Sequence, residues 1–259
     1  MKKNYTLILT IVTVAAIIIG SIIHLGSCAK NGHFSYDVTL DKNSEGEGES
    51  RFGESYNQTF NNIELNICLI EVEVEEGNRF EVQYEGKEKY KPVVKTDGDT
   101  LRISNNDRNI SISVAVGKNL TSKLKVTVPK GTTFDKANVM ANMAKFDIEK
   151  LDAKELNLEA NAAEINIGDT SGEKLVVGAH KGDVNLSGDY TDIEIESAIG
   201  NINIDLAQDV TKYQVSAHTD MGSVECGTVS AKGINSDSSQ NGDLGNIEIT
   251  CEMGNVDIH

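Results

Sequence analysis

The chain contains no tryptophan, two prolines, six phenylalanines and seven tyrosines in 259 residues. So thin an aromatic complement, beside 23 glycines and many short apolar alternations, argues against a helical bundle and for a β-rich repeat. Basic side chains are also scarce, 24 against 40 acidic ones, for a net charge of −16. A surface of that sign repels phosphate backbones, so nucleic acid is disfavoured as a partner. It also argues against lying flat on anionic lipid, and it suits solubility in a cell wall. The length accommodates one large domain or two small ones, either with a real core.

Catalytic signatures are missing as well. No His-Glu-x-x-His, Gly-x-Ser-x-Gly or phosphate loop occurs, so no catalytic residue, metal site or cofactor is assigned. Acidic pairs abound, but strand alternation places them on a flat outward face, whereas a glycosidase needs a partly buried acid. His180 and His218 occupy similar contexts two coils apart, about 10 Å of rise and too far for one metal ion. Of four cysteines, Cys68, Cys226 and Cys251 remain if Cys28 is modified. That odd number precludes a full disulfide set. Cys226 and Cys251 have inward strand parity and read as buried thiols, with a Cys226–Cys251 disulfide as the alternative. Cys68 has outward parity unless a bulge reorients it.

Residues 1–28 lack Asp and Glu entirely. Lys2 and Lys3 precede an apolar run of 19 residues from Leu7 to Leu25, which reads as an export signal. At about 1.5 Å per residue the run just spans a bilayer core of roughly 30 Å. Leu25-Gly26-Ser27-Cys28 resembles a bacterial lipobox, which would make Cys28 a diacylated N-terminus. An uncleaved transmembrane helix is the other reading. Both tether residues 29–259 to the membrane, outside the cytoplasm. Residues 29–56 are polar, Gly-rich and acidic, and read as a flexible linker. Asp41, Asn43, Glu45 and Gly46 imitate half of a calcium loop, but Phe52 stands where the bidentate Glu belongs.

What is present in abundance is a repeat. Ala144-Lys-Phe-Asp-Ile148, Ala163-Glu-Ile-Asn-Ile167, Gly182-Asp-Val-Asn-Leu186 and Gly200-Asn-Ile-Asn-Ile204 align, followed by units starting at Gly222, Gly245 and Gly254. The starts differ by 19, 19, 18, 22, 23 and 9 residues. A second strand precedes several units: Leu156-Asn-Leu158, Leu175-Val-Val177, Ile193-Glu-Ile195 and Tyr213-Gln-Val215. One such unit cannot bury its own apolar face, whereas copies stacked at about 4.8 Å share a continuous core. The pattern therefore predicts an all-β, single-domain β-solenoid over 57–258, irregular or capping over 57–136 and regular over 137–258. Phe146, Ile165, Val184, Ile202, Val224, Ile247 and Val256 would form one inward column. Asn166, Asn185 and Asn203 would stack outside as an amide ladder. Gly182, Gly200, Gly222, Gly245 and Gly254 read as left-handed turn residues, with Asp183, Asn201, Asn246 and Asn255 bonding local backbone beside them. A competing signal is the helix-forming composition of residues 134–160. In the N-terminal half, Ile63, Leu65 and Ile67 alternate and the phase slips near Leu69-Ile70, which predicts a bulge or corner.

The Gly-Asp and Gly-Asn turns at an interval near twenty, after Val128-Pro-Lys-Gly131, resemble the bacterial "putative adhesin" family of unknown function. The resemblance spans about residues 57–258 and implies an all-β repeat fold, with no catalytic residues to carry over. The expected function is a non-enzymatic, adhesin-like module on the bacterial cell surface, binding an envelope or host ligand and the membrane through its N-terminus. The alternative is a sensing or regulatory partner of an envelope-stress membrane system. A third reading is a calcium-dependent polysaccharide enzyme.

Overall fold

A computed structural model describes residues 49–105 and 122–259. The N-terminal apolar run, Cys28 and the calcium-loop imitation lie outside the described residues. None of the described helices is long and apolar enough to cross a membrane. Among the described residues seventeen strands form one continuous ladder, with 3-10 turns at Glu88–Tyr90 and Val210–Lys212. In chain order the strands are β1 (Glu49–Tyr56), β2 (Asn62–Cys68), β3 (Glu71–Gly77), β4 (Phe80–Lys87), β5 (Val93–Asp97) and β6 (Thr100–Ser104). Next come β7 (Lys123–Pro129), β8 (Thr133–Asn142), β9 (Lys145–Lys150), the winding β10 (Asp152–Ser197) and β11 (Asn201–Leu206). The last are β12 (Gln214–Thr219), β13 (Ser223–Cys226), β14 (Val229–Lys232), β15 (Ser236–Gln240), β16 (Asn246–Cys251) and β17 (Asn255–Ile258).

Each coil contributes one strand to each of two faces. On the first face Leu101, Ile63, Ala137 and Leu156 are successive partners, and further down Ile193, Ile247 and Val215. On the second, Leu124 pairs with Val72, Val72 with Phe146 and Phe146 with Ile165. Lower down Val184 pairs with Ile202, Ile202 with Val256 and Val256 with Val224. All of these side chains are buried. Each fully buried Val, Ile or Leu contributes about 1.5–3 kcal/mol, so the inward columns are the main stabilising element.

The β-solenoid expectation holds, and two of its details are corrected. First, the stack does not follow chain order. The coil of β16 and β17 is inserted between the coil ending in β11 and that of β12 and β13. Similarly, the coil of β2 and β3 lies between that of β6 and β7 and that of β8 and β9. Second, Ile247, with Gly245 and Asn246, belongs to the first face and not to the column of Val184. The interval of nine residues is half a repeat: β16 and β17 are the two sides of one coil. Val215, not Tyr213, aligns with Ile193. The repeat register, which favours strands over the helix-forming composition of residues 134–160, prevails: β8, β9 and the start of β10 run there, because ladder bonds and burial of Ala137, Phe146 and Leu156 override helix propensity.

Both ends of the parallel stack are closed by antiparallel strands, which protects edges that would otherwise template another chain. At one end β5 pairs with β6, β4 with β7 and β1 with β4. Tyr56, Phe60, Phe80 and Phe134 pack there in series, with ring centroids 5.7, 5.0 and 6.2 Å apart. At the other end β15 pairs with β12 and β14 with β13. Strand β1 falls inside the segment expected to be linker, since a Gly-containing charged sequence suits an exposed antiparallel edge. The slip at Leu69 is a corner: Leu69 adopts φ +60°, and Met143 and Ala162 repeat it at +48° and +53° on neighbouring coils.

Candidate functional site

The outward side of the second face is a grid whose rows cross the strands. One row reads Arg51, Glu85, Lys123, Glu71, Lys145, Glu164, each the register partner of the next. Charge alternates at every step. Arg51 pairs with Glu85, Lys123 lies 3.5 Å from Glu71, and Lys145 lies 4.0 Å from Glu164. Bonding to Asp147 holds the Lys145 ammonium above the usual lysine range. Sign alternation avoids the repulsion that like charges in register would create.

The next row changes device. Asn166 donates to Asp147 at 3.1 Å, Asn185 to Asn166 at 2.9 Å and Asn203 to Asn185 at 2.7 Å. This is the amide ladder anticipated from the repeat. The row that begins at Asp183 behaves likewise. Asn201 donates to Asp183 at 2.8 Å, Asn255 to Asn201 at 3.0 Å and Ser223 to Asn255 at 2.7 Å. Asn246 donates to Asp192 at 3.0 Å on the first face. These side chains bond from rung to rung rather than to local backbone, because the neighbouring coil offers an acceptor one ladder spacing away.

The glycines beside them serve a different purpose from the expected one. None of Gly182, Gly200, Gly222, Gly245 and Gly254 lies in the left-handed region. A Cβ at each would collide with a carbonyl oxygen of the neighbouring coil: that of Ala163, Gly182, Gly254, Thr191 and Gly200 respectively. They permit close approach of stacked backbone. Among the described residues the glycines at positive φ are instead Gly98, Gly131, Gly227 and Gly233, in turns, and Gly86 in β4.

Beside the Asn ladder runs a shallow trough. Gly168 and Ser187 leave its floor low, the buried Ile167, Leu186 and Ile204 lie beneath, and Asp205 and His259 close one end. It is open, polar along one wall and extended along the stack.

His180 and His218 are three rungs apart, not two, because β16 is interposed. His218 touches Asp237 at 2.6 Å and Asp220 at 3.1 Å, and these contacts, Asp237 first, raise its pKa. Among the described residues no group of three or more His, Cys, Asp or Glu is placed to hold a metal ion. Cys68, Cys226 and Cys251 are free and buried. The corner at Leu69 turns Cys68 inward, and burial pushes the Cys68 and Cys226 thiols up to about 12.

Sequence reasoning missed two features. Asn105, fully buried, accepts from the Cys68 N–H at 2.8 Å and donates to the carbonyls of Cys68 and Tyr90. Nothing in its sequence context distinguishes it from neighbouring asparagines. The second is a set of exposed apolar corner residues, Ile199, Met221 and Met253. Each directly precedes a turn glycine, a signal that was visible.

The Toastrack DUF4097 family matches this chain over residues 60–192. No curated protein matches it. Among solved structures it is similar to a "putative cell adhesion protein" from Clostridium sporogenes, at 17% identity and TM-score 0.46, covering 82% of this chain and 99% of that one. It is also similar to a "putative adhesin" from Bacteroides fragilis, at 11% identity and TM-score 0.34, covering 81% and 97%. A "putative lipid binding protein" from Parabacteroides distasonis is similar at 13% identity and TM-score 0.35, covering 82% and 96%.

Proposed function

The chain belongs to the Toastrack DUF4097 family, and on that footing we propose that it is a non-enzymatic binding module held outside the cytoplasmic membrane by its N-terminus. The observation that supports binding over catalysis is the trough beside the Asp147–Asn166–Asn185–Asn203 ladder. It is extended, solvent-open and lined by amides rather than by a buried acid or nucleophile. Such a surface suits an extended polar polymer, which can exchange hydrogen bonds with a regularly spaced amide row along its length. Ser187 lines the trough, so Ser187→Trp is a steric block. Cosedimentation of the full chain with purified peptidoglycan sacculi and with host-type polysaccharides tests the reading. Ser187→Trp is expected to reduce retention at least fivefold at unchanged far-UV circular dichroism. Retention equal to that of the parent would overturn the trough as the binding surface.

Tethering is supported by the Lys2-Lys3 start, the apolar run and Leu25-Gly26-Ser27-Cys28. Metabolic labelling with a fatty acid is expected to mark the natural chain and not Cys28→Ala, with residues 1–27 absent from the mature protein. An unlabelled, intact N-terminus would instead establish a membrane-spanning anchor and shift weight to the signalling alternative.

A further inference from the structure

The lower coils carry an exposed apolar ridge. Ile199, Met253, Met221 and Ile234 are 40%, 36%, 56% and 79% exposed. They come from four separate segments, yet the ladder stacks them at one corner. The Met253 N–H bonds the Ala198 carbonyl at 2.8 Å, the Met221 N–H bonds the Glu252 carbonyl at 2.7 Å, and the Asn235 N–H bonds the Asp220 carbonyl at 3.0 Å. Three rung steps give a ridge about 14 Å long. Close stacking at Gly200, Gly254 and Gly222 brings the corners together. Two methionines make the surface adaptable, as in other protein-docking faces.

Charge selects the occupant. Glu196, Asp220, Asp237 and Glu252 are exposed around the ridge, while Lys232 is paired with Glu225. Residues 155–259 hold 19 Asp and Glu against 4 Lys and Arg, whereas residues 49–105 and 122–154 hold 16 against 14. The acidic charge is thus concentrated on the half that bears the ridge. A second copy docking ridge to ridge would bring like charges together, and anionic lipid would be repelled. An apolar stripe flanked by Lys and Arg meets both features at once. We propose that this corner docks a cationic amphipathic helix of a protein partner, about two and a half turns of which match the ridge. The family match ends at residue 192, before every residue of the ridge.

The test is fluorescence anisotropy of a labelled 15-residue helical peptide carrying a leucine stripe on a lysine background, titrated with the full chain. The same stripe on a glutamate background is the control. The lysine peptide is expected to bind and the glutamate peptide not to. Combining Ile199→Thr, Met221→Gln, Met253→Gln and Ile234→Thr leaves the charge unchanged and is expected to weaken binding at least tenfold. Asp220→Asn with Glu252→Gln is expected to weaken it severalfold and flatten its salt dependence. Ser187→Trp is expected to leave it unchanged, which separates this surface from the trough. Undiminished binding by the ridge variant would overturn the proposal. So would equal binding of both peptides, a dimer abolished by the variant in sedimentation velocity, or ridge-dependent binding to phosphatidylglycerol vesicles.

Discussion

Replacing Gly200 or Gly254 by valine is expected to destabilise the protein by about 3 kcal/mol or more, as overpacking against an immovable neighbour does. A Cβ at Gly254 is driven into the Gly200 carbonyl oxygen, and one at Gly200 into the Gly182 carbonyl. These oxygens belong to backbone held in the ladder on both sides, so no flexible side chain can give way. Gly98 and Gly131 provide the contrast. They sit at φ +61° and +75° with nothing within 4 Å of an added Cβ. Alanine there meets only the left-handed penalty of about 1–2 kcal/mol. Asparagine separates the two causes, since it tolerates the left-handed region but still carries a Cβ. Gly200→Asn is expected to be as damaging as Gly200→Val, while Gly98→Asn is expected to be nearly neutral. Urea denaturation followed by far-UV circular dichroism measures both. A Gly200→Asn midpoint close to the parent's would mean that the neighbouring coil yields to a Cβ and that stacking distance does not select glycine there.

Asn105→Ala is expected to cost about 3 kcal/mol, because each buried polar group left unpaired costs about 1–3 kcal/mol. The side chain is fully buried and satisfies both the N–H and the carbonyl of Cys68 as well as the carbonyl of Tyr90. It thereby closes the corner where β2 ends and ties it to the turn before β5. Asn105→Asp tests the donor half. A carboxylate can accept from the Cys68 N–H but cannot donate to either carbonyl, and burial disfavours its charge. The introduced acid therefore takes a higher pKa in the folded state than the unfolded value of about 3.9. The folded state then binds more protons, so the variant's deficit relative to the parent should shrink as pH falls from 7 toward 5. A deficit independent of pH, or an alanine variant as stable as the parent, would mean that water replaces the amide.

The parity of the strands was legible because it is a local property. Ile63, Leu65 and Ile67, or Val184 and Leu186, alternate with polar residues, and an extended backbone turns each pair to opposite sides whatever surrounds it. The amide row was legible for the same reason: a repeat near nineteen residues returns Asn166, Asn185 and Asn203 to one column. The charged row was not, since Arg51, Glu85 and Lys123 become neighbours only through antiparallel pairing of β1, β4 and β7. The apolar ridge depends on which coil adjoins which, and Ile199, Met253 and Met221 are not consecutive in the chain.

By itself, then, the sequence determined that the chain winds as stacked two-sided coils with apolar columns inside, because repeat length and side-chain alternation are carried by each segment alone. Tertiary structure decided the order of those coils, the capping of both ends and the reason for the corner glycines. These depend on where distant ladder edges meet. The last coil offers the same alternation to any free edge, and only its wedging between the coil ending in β11 and that of β12 and β13, beneath the antiparallel β14 and β15, pairs the parallel edges it meets.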